Sequence, residues 1–486
     1  MLDFDIIIVG TGISGINFAY RLKERHPSLS YCILEDRHEI GGTWSLFQYP
    51  GIRSDSDLYT FGFAWNPWTG KNSIVHGSLI RDYIEESAVK EGIDSKIRFG
   101  HRVKGMRWSS SSNSWTFDIT VNSAAERLSL TSRFAFLGTG YYDYQKPLDA
   151  KIPGLSNFQG KVIHPQFWPT DFDYTDKKIV IIGSGATAIT LLPSLAKSAQ
   201  VTMLQRSPTY IASLPSEGGF EAFALKFLPG FLANRLIRLK WMLFSFFMVS
   251  FCRLFPQMAK AFLLRRTAKL LPPGMNLEPD FIPSYNPWEQ RLCLCPDGDF
   301  FDAIKSGKGS IKTGRIENIT ASAIRLTSGE ELHPDIIVTA TGLKLSTGGG
   351  IGITIDGKPY EISDHFTWRT AMVEGLPNVM LSWGYVDASW TLGADSTAQL
   401  ACRLLAKMKE DGVSAIVPRM TAEERNSSRF EERPFLRLKA TYVKEGGSEF
   451  PKAASIAPWQ PRSYFWRDIA ISRWGDIETG LEWLKY

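Results

Sequence analysis

The sequence predicts an α/β fold with two Rossmann-like dinucleotide-binding domains, the second inserted in the first, and a helical insertion. An apolar run followed by a glycine-rich turn occurs twice, at 6–15 and at 179–188. A helical stripe and a second apolar run follow each turn, which is the order of elements in a Rossmann unit. The length of 486 residues also exceeds that of one ordinary core.

The first glycine turn, Gly10, Gly12 and Gly15, directly follows an apolar strand. In such a turn the first glycine permits the tight bend, the second lets the backbone approach a pyrophosphate, and the third lets the helix pack on the strand. Glu35 ends the next strand roughly twenty residues later, where an acid can accept hydrogen bonds from ribose hydroxyls. We expect this N-terminal unit to hold FAD.

The second turn contains Gly183, Gly185 and Ala188, and the strand after it ends in Gln205 and Arg206 instead of an acid. An acid would repel a 2′-phosphate, whereas arginine pairs with it bidentately. The alternative is that this arginine is only a solvated surface charge. We expect the second unit to bind NADPH, which would deliver hydride to the flavin.

Two apolar strands that end in Thr-Gly, Phe136–Tyr142 and Ile336–Leu343, fit the points where each nucleotide unit closes and the chain crosses between domains. We therefore expect an FAD-binding domain over 1–145 and 370–486. The NADP-binding domain is expected over 146–369, including a helical insert at about 215–288.

Composition excludes several other classes of protein. The net charge of +5 is small and no block of Lys and Arg occurs, so nucleic acid is not an expected partner. The five cysteines show no disulfide or zinc spacing, which is typical of a reduced cytoplasmic protein, and no sequence motif for a metal is present. Disulfide reductases need a cysteine pair soon after the first turn, and this chain has no cysteine between Cys32 and Cys252.

The stretch 241–252 is the most hydrophobic of the chain and is flanked by basic residues. It is shorter than the roughly 20 apolar residues that span a bilayer. Two interpretations remain open: a buried helix of the insert, or a surface that touches a membrane or an apolar substrate. We expect a cytoplasmic protein for which peripheral membrane contact stays open, and the sequence does not indicate an oligomeric state.

Two further patterns carry a family resemblance. The segment 41–57 contains a glycine pair, a tryptophan, a Tyr-Pro-Gly turn and two opposite charges, and the segment 157–170 lies between the two glycine turns. The chain resembles the type I Baeyer–Villiger monooxygenases, whose fingerprint FxGxxxHxxxWP is matched by Phe158, Gly160, His164, Trp168 and Pro169. The family has Asp or Gly next, where this chain has Thr170.

The second family pattern, GGxWxxxx(Y/F)PGxxxD, is matched by Gly41, Gly42, Trp44, Tyr49, Pro50, Gly51 and Asp55. Several segments, among them "MLQRSPTYI" and "YNPWEQRLCL", are similar to the Baeyer–Villiger subgroup of ethionamide-activating monooxygenases of mycobacteria. Together the resemblance covers nearly the whole chain.

The resemblance implies that NADPH and O₂ are used to insert one oxygen next to a ketone carbonyl through a flavin C4a-peroxide, giving an ester or lactone. It implies that Arg291 stabilises the peroxide anion and the tetrahedral adduct, and that Asp55 polarises Arg291. Sulfur oxidation of thioethers or thioamides is an expected side activity. Gln290 stands where a related pattern has lysine, so Arg206 and Ser207 are expected to hold the 2′-phosphate. His164 is expected to act in domain coupling and not in direct proton transfer.

The turns and the resemblance together imply two sets of cofactor-binding residues. Those on the FAD side are Gly10, Gly12, Ser14, Gly15, Glu35, Gly42, Thr43, Trp44, Arg53, Asp55 and Val103. Those on the NADP side are Gly183, Ser184, Gly185, Ala186, Thr187, Ala188, Arg206 and Ser207.

Two other functions remain alternatives. One is an N- or S-oxygenating flavin monooxygenase without ketone activity. The other is a redox-inactive flavoprotein that serves as a binding module.

Overall fold

The structure is a computed structural model that describes residues 2–122, 126–290, 292–438 and 440–485. Its strands are β1 (Phe4–Val9), β2 (Tyr31–Leu34), β3 (Ile97–Arg98), β4 (His101–Ser109), β5 (Ser114–Val121), β6 (Glu126–Leu137), β7 (Lys161–Ile163), β8 (Lys178–Ile182), β9 (Gln200–Gln205), β10 (Ile211–Leu214), β11 (Cys293–Pro296), β12 (Gly309–Thr313), β13 (Ile316–Ile319), β14 (Ile324–Leu326), β15 (Glu331–Leu332), β16 (Ile336–Thr339), β17 (Gly352–Ile355), β18 (Lys358–Tyr360), β19 (Thr367–Trp368), β20 (Met372–Val373), β21 (Val379–Leu381), β22 (Val413–Pro418), β23 (Glu432–Arg433), β24 (Ala453–Ala454) and β25 (Leu481–Lys485).

The α-helices are α1 (Ile13–Arg25), α2 (Thr43–Leu46), α3 (Leu58–Phe61), α4 (Gly77–Lys90), α5 (Ala186–Leu195), α6 (Gly219–Phe227), α7 (Gly230–Leu254), α8 (Pro256–Leu270), α9 (Asp299–Lys305), α10 (Trp390–Asp411), α11 (Ala422–Arg425), α12 (Thr441–Gly446) and α13 (Phe465–Trp474).

The first sheet has the strand order β18-β17-β4-β5-β6-β1-β2-β3, with β21 also paired to β6. The pairs of β1 with β2 and with β6 are parallel, whereas β4, β5 and β6 form an antiparallel meander. Continuous apolar runs such as Ile6–Val9 are buried because helices α1 and α10 cover one face of this sheet. The other face carries a second core that includes Trp115 and Phe117.

The second sheet has the order β12-β9-β8-β16-β7, and its strand pairs are parallel. Helices α5 and α9 pack on it over a core that contains Ile181, Leu192 and Phe300. These two Rossmann-type sheets confirm the predicted α/β fold, because the second is built from a segment that lies between strands of the first.

The chain leaves the first sheet after β6 and returns after β16, and the two crossings run side by side. The Asp143 N–H donates to the Lys344 carbonyl at 2.9 Å, and the Ser346 N–H donates to the Tyr141 carbonyl at 3.1 Å. An ion pair of 3.1 Å between Lys344 and Asp143 adds a side-chain contact. We call these two segments, 141–143 and 344–346, the crossing ribbon.

The return to the first sheet lies earlier than the boundary of 370 expected from the sequence. Strand β17 pairs in parallel with β4, and β18 pairs with β17. The chain has therefore rejoined the first sheet by Gly352. These strands are short and end in an Asp-Gly turn, so their sequence pattern did not reveal them.

The helical insert consists of α6, α7 and α8. Helix α7 is fixed to the first domain because the Arg238 guanidinium donates to the carbonyls of Tyr59 at 2.8 Å and Gly62 at 2.9 Å. It buries Ala233, Ile237, Val249 and Cys252. Phe247 is 62% exposed, so the interpretation of 241–252 as a buried helix is wrong for much of its surface.

Among the residues that the structure describes, no single helix is long and apolar enough to cross a membrane. Helices α7 and α8 meet the criteria of length and composition only as a pair, and they are bent by 114° where they join.

Candidate cofactor and active site

A cavity of about 1220 Å³ lies where the carboxyl ends of β1 and β2 face those of β8 and β9. Clefts for one drug-sized ligand are usually about 300–1,000 Å³, so this cavity exceeds the space that one such molecule needs. In parallel sheets of this type, ligands bind outside the carboxyl ends of the strands. The topology therefore brings both glycine turns to a common space.

The first turn is shaped by two close backbone approaches. Gly10 has φ of +100°, and a Cβ there would lie 2.8 Å from the Gly138 carbonyl oxygen. A Cβ on Gly15 would overlap the Gly10 carbonyl, so this position supports helix packing and does not line the cavity. Gly12 precedes α1 and provides no capping side chain. The first N–H groups of α1 are consequently left for a ligand.

Glu35 follows β2 and is buried, with 8% of its surface exposed. Its Oε2 accepts from the Thr11 N–H at 2.8 Å and from the Thr11 hydroxyl at 2.7 Å, and its Oε1 accepts from the Arg37 N–H at 3.0 Å. These bonds fix the carboxylate at the edge of the cavity. A carboxylate has about four acceptor sites, so capacity remains for a further hydroxyl. Thr11 was not foreseen, since it lies between the glycines and carries no signal of its own.

The segment after β2 forms another wall. Gly42 has φ of +57°, and a Cβ there would lie 3.0 Å from the Cα of Gly12, so the two glycine segments touch. Thr43 shares a hydrogen bond of 3.0 Å with the hydroxyl of Tyr144. Trp44 packs edge-on against Phe61 at 5.6 Å and lines the cavity.

An aromatic pair joins this wall from elsewhere in the chain. The Trp390 indole donates to the Ser14 hydroxyl at 2.9 Å, and its ring stacks on Tyr141 with centroids 5.0 Å apart. Both rings line the cavity, as does Val103 on β4. The contact between Trp390 and Ser14 could not be predicted from the sequence, because Trp390 belongs to a helix that is distant in sequence and has no motif.

The second turn repeats the first. Gly183 has φ of +142°, and its Cα approaches the Ala340 carbonyl so closely that a Cβ would overlap that group. Gly185 precedes α5 without a capping side chain, so the first N–H groups of α5 are also left for a ligand. Ser184, Ala186 and Thr187 line the cavity together with these glycines. Ala188 is buried behind the turn.

Two arginines lie at neighbouring strand ends beside the second turn. Arg206 follows β9 and Arg315 follows β12, and β9 and β12 pair in parallel. Both line the cavity with Ser207 and Gln290. Arg206 makes a 3.4 Å contact with the Thr441 hydroxyl. Within the described part of the chain, the exposed Arg315 guanidinium has no hydrogen bond or ion pair. Arg315 was not foreseen, because only its strand pairing brings it to Arg206.

Segment 49–55 ties the two domains together. Burial raises the pKa of Tyr49 to about 12, and its hydroxyl hydrogen-bonds to Thr187 at the start of α5. Gly51 has φ of +79°, and a Cβ there would lie 2.9 Å from the Thr190 carbonyl oxygen on α5. Arg53 lines the cavity and forms an ion pair with Asp299 at the start of α9.

Asp55 also lines the cavity, within the same segment. Its expected partner, Arg291, lies outside the described residues.

The fingerprint segment lies apart from the cavity and beside the crossing ribbon. The Nδ1 atom of His164 accepts from the Gln166 N–H at 3.2 Å, and the Gln166 side chain donates to the Asp143 carbonyl at 2.7 Å. The buried His164 Nε2 lies beside the Gly342 backbone without a hydrogen bond of regular geometry. Burial lowers the pKa of His164 below its usual range, which favours the neutral ring.

The other fingerprint residues are structural contacts. Phe158 is buried among apolar residues of the second domain, and a Cβ on Gly160 would lie 2.6 Å from the Asp335 carbonyl oxygen. Trp168 packs edge-on against Tyr174, with Pro169 directly after it. None of Phe158, Gly160, His164, Trp168 and Pro169 lines the described cavity.

Two family models match the chain. The NAD(P)-binding Rossmann-like domain matches residues 8–71, and the flavin-binding monooxygenase-like family matches residues 64–238. The first match contains the first glycine turn. The second match contains the fingerprint segment, the second glycine turn and the first part of the helical insert.

Proteins of similar length align over nearly the whole chain. The FAD-containing monooxygenase EthA of Mycobacterium tuberculosis is 45% identical over 484 residues, which is 99% of this chain and 98% of that protein. The probable FAD-binding monooxygenase AlmA of Acinetobacter baylyi is 40% identical over 479 residues, 98% of this chain and 95% of that protein.

Among solved structures, cyclohexanone monooxygenase from Rhodococcus sp. Phi1 bound to NADP⁺ aligns with a TM-score of 0.76. The alignment covers 99% of each chain at 17% identity. At that identity the likeness concerns the fold, and it extends over both sheets and the insert.

Proposed function

We propose, because this chain belongs to the flavin-binding monooxygenase-like family, that it is an FAD-containing, NADPH- and O₂-dependent monooxygenase of the Baeyer–Villiger type. Its reaction would convert a ketone, O₂, NADPH and a proton into an ester or lactone, NADP⁺ and water. The observation that carries the proposal is the common cavity, which is lined by the uncapped N-termini of α1 and α5. It is also lined by the acidic Glu35 after β2 and the basic Arg206 after β9.

The first half of the cavity fits FAD. Gly10, Gly12 and Gly42 let neighbouring backbone segments approach one another at the turn, and the α1 N–H groups are free to bind a pyrophosphate. Glu35 is held by Thr11 so that it can accept from ribose hydroxyls. Apolar ring surface in the same half of the cavity comes from Trp44, Tyr141 and Trp390.

The second half of the cavity fits NADPH because it also contains a glycine turn and a helix N-terminus. It differs at the end of β9, where a basic residue replaces the acid that follows β2. The α5 N–H groups would bind the pyrophosphate, and Arg206 would pair with the 2′-phosphate, flanked by the Ser207 hydroxyl. Arg315 would add a second positive charge where Gln290 provides none. An uncharged or acidic strand end would not favour the phosphorylated ribose.

Bound FAD, reduced by NADPH, supplies the activation of O₂, which amino-acid side chains cannot provide. The protein's own task is to handle negative charge. Arg291 would stabilise the charge that develops on the attacked carbonyl oxygen, and Asp55 would keep that guanidinium oriented. Preorganised charge of this kind often contributes the largest share of a rate enhancement.

The test is incubation of the purified holoprotein with NADPH, isotope-labelled O₂ and a panel of ketones, followed by mass spectrometry. The expected product is an ester or lactone that carries one labelled oxygen. Oxidised thioethers without any ester would favour sulfur or nitrogen oxygenation instead. If NADPH is not consumed with any compound, the proposal is wrong.

Arg291→Ala tests the assigned role directly. We expect retained FAD and NADPH-dependent flavin reduction, but ester formation lowered by about 10²–10³-fold or more, since one stabilising charge is lost. Arg291→Lys keeps the charge and should recover part of the rate. Unchanged ester formation in Arg291→Ala would contradict the role.

A further inference from the structure

The helical insert exposes an unusual amount of apolar surface. On α7 the exposed residues Phe231, Leu239, Leu243, Phe247 and Phe251 recur at multiples of four, so they form an apolar stripe that turns by about 40° with every four residues and winds slowly around the helix. Over its 25 residues α7 is about 37 Å long. The exposed surface continues over the end of α7, its junction with α8, and the neighbouring helices α6 and α8. The residues that extend it are Leu254, Phe255, Phe220, Phe223, Phe227, Met258 and Phe262, and together with those on α7 they form the apolar face.

This face is not a poorly packed part of a core. The opposite side of α7 is anchored by Arg238 to the backbone at Tyr59 and Gly62. Buried Glu221 on α6 accepts from the Lys240 ammonium at 2.5 Å and from the Trp241 indole at 2.6 Å, which locks α6 onto α7. The insert is therefore packed on the rest of the protein with its phenylalanines outward.

Charge is distributed unevenly between the insert and the rest of the chain. Residues 219–270 contain nine Lys and Arg against a single acid, Glu221, and so carry a net charge of +8. The whole chain carries +5, so the remainder is net negative. Such an asymmetry points to an anionic partner for the insert.

Several of the basic side chains are available for that partner. Lys226, Arg235, Arg265, Arg266 and Lys269 are exposed and form no ion pair with any residue that the structure describes. Lys226 lies over the ring of Phe227 at 5.2 Å, and Arg266 lies over that of Phe262 at 5.7 Å. The free cations are thus interleaved with the exposed phenylalanines.

A small apolar crevice leads inward from the insert. It lies between α7 and α13 and is lined by Met242, Phe246, Val249 and Tyr464. The crevice reaches Ala388, which also lines the large cavity. The crevice beside the insert and the large cavity therefore share one wall residue.

We propose that the apolar face lies in the interface of an anionic phospholipid membrane, with the phenylalanines among the acyl chains and the free cations at the headgroups. Helices that carry aromatic and basic residues in this way lie in the membrane plane. Because the other side of α7 is packed on the protein, the contact is peripheral. Each of the five free cations strengthens the attraction to anionic lipid.

The experiment uses flotation of the FAD-loaded full chain with two kinds of vesicle, pure phosphatidylcholine and a mixture with one quarter phosphatidylglycerol. We expect binding to the mixed vesicles, little binding to the neutral ones, and weaker binding as salt is added, because salt screens the cations. Absence of binding to the mixed vesicles would overturn the proposal.

Two variants separate the apolar and the charged contributions. Phe231→Ser/Phe247→Ser/Leu254→Ser should weaken binding by about 100-fold, given the apolar area that each side chain would bury. Arg265→Gln/Arg266→Gln should weaken it by about tenfold. If either variant binds as the wild type does, the face is not the docking surface.

Matched controls change comparable residues elsewhere. Leu79→Ser/Val89→Ser removes exposed apolar side chains on α4, and Lys104→Gln/Arg127→Gln removes exposed charges on the first sheet. Both controls should bind as the wild type does. The FAD content of every variant reports whether it has folded.

A second copy of the chain is the competing occupant of the apolar face. Light scattering without vesicles distinguishes it. An oligomer that disappears in the phenylalanine variant, combined with no vesicle binding by the wild type, would identify a self-association surface and overturn the membrane proposal.

Discussion

At the scale of single residues, the sign of one side chain at the end of a strand differs between the two nucleotide units. Glu35 follows β2, and Arg206 follows the corresponding strand β9. A carboxylate accepts hydrogen bonds from ribose hydroxyls and repels phosphate, whereas a guanidinium does the opposite. This difference can be predicted from the sequence, because recognising it requires only the strand and the residue that follows it.

Arg206→Ala and Arg315→Ala should each raise the KM for NADPH by about tenfold, since a charge-assisted contact contributes about 1.5–3 kcal/mol at most when fully formed. The KM for NADH should change little, because NADH lacks the 2′-phosphate. Steady-state kinetics with both cofactors measure the effect, and Arg206→Lys is the conservative control. Equal changes for NADPH and NADH would contradict the phosphate contact.

His164→Gln tests the indirect role of the fingerprint histidine. Burial lowers the pKa of His164, so the ring is already neutral at pH 7 and its titration should not shape the activity profile. We expect slower turnover and more NADPH oxidised without product, while the pH profile of kcat/KM keeps its shape. A lost or shifted limb of that profile would indicate direct proton transfer.

Folding stability gives a second measure of His164. Because its pKa is lower in the folded than in the unfolded state, its contribution is present above the unfolded value of about 6.5 and is lost as the pH falls through the folded value. His164→Gln should remove that part of the acid destabilisation. Denaturant unfolding at several pH values measures it.

At the scale of elements, the turn before Arg53 determines how closely the first domain approaches α5. Gly51 has φ of +79° and contacts the backbone of Thr190. A side chain at this position would therefore be strained in its backbone conformation and would also clash with α5. The sequence predicted a Tyr-Pro-Gly turn here. It did not reveal that the turn packs against a helix of the other domain, because that contact depends on how the two domains are arranged.

Gly51→Val should lower thermal stability and raise the KM for NADPH by disturbing this contact. Gly357→Val is a matched control, since Gly357 also has φ of +79° but would meet nothing within 4 Å. Both variants share the backbone strain, which is of order 1–3 kcal/mol. Only Gly51→Val should change the kinetics, and a kinetic effect of equal size in the control would contradict the role of the contact.

Helix α3 begins with a carboxyl group whose burial raises the pKa of Asp57 to about 6. Asp57 accepts from the Thr60 N–H at 2.8 Å and from the Thr60 hydroxyl at 2.7 Å. Because the folded pKa lies above the unfolded value of 3.8, the folded state binds the proton more tightly. Stability from this group therefore falls as the pH rises from about 4 to about 6.

Asp57→Asn should abolish that fall, and it should make the variant more stable than the wild type above pH 6 by up to about 3 kcal/mol. The amide retains an acceptor for the cap. Urea unfolding between pH 4 and pH 8 measures the difference. A wild type that becomes more stable over this range because of Asp57 would contradict the prediction.

The exposure of the helical insert could not be predicted from the sequence of its helices. A helix that is apolar on most sides can be buried in a core or can face an apolar partner. The composition of α7 is compatible with both, and its exposure follows only from how α3, α6 and α8 leave one side of it uncovered.

At the scale of the whole molecule, the two Rossmann units and the helical insert could be predicted because strand, glycine turn and helix are local patterns. The convergence of both turns on one cavity could not, since it depends on how two sheets are oriented to each other. The contacts of Tyr144, Trp390 and Asp299 could not be predicted for the same reason, as each joins residues that are far apart in sequence.

Cofactor binding should stabilise the whole molecule, because the cavity draws walls from both domains. FAD at 100 times its Kd should add about 2.7 kcal/mol to the free energy of unfolding. The melting temperature of the apoprotein should rise when FAD is added, and rise again with NADP⁺. A melting temperature that does not respond to either cofactor would contradict binding in this cavity.

The crossing ribbon holds the two ends of the NADP-binding segment together. Since residues 143 and 344 are hydrogen-bonded neighbours, the roughly two hundred residues between them begin and end at nearly the same point. A segment with adjoining ends can be inserted into a host domain, or exchanged for another, without stretching the host. The NADP-binding unit with its apolar helices can therefore be exchanged as one module by recombination. Such an exchange would change the membrane contact of the enzyme without altering its FAD-binding domain.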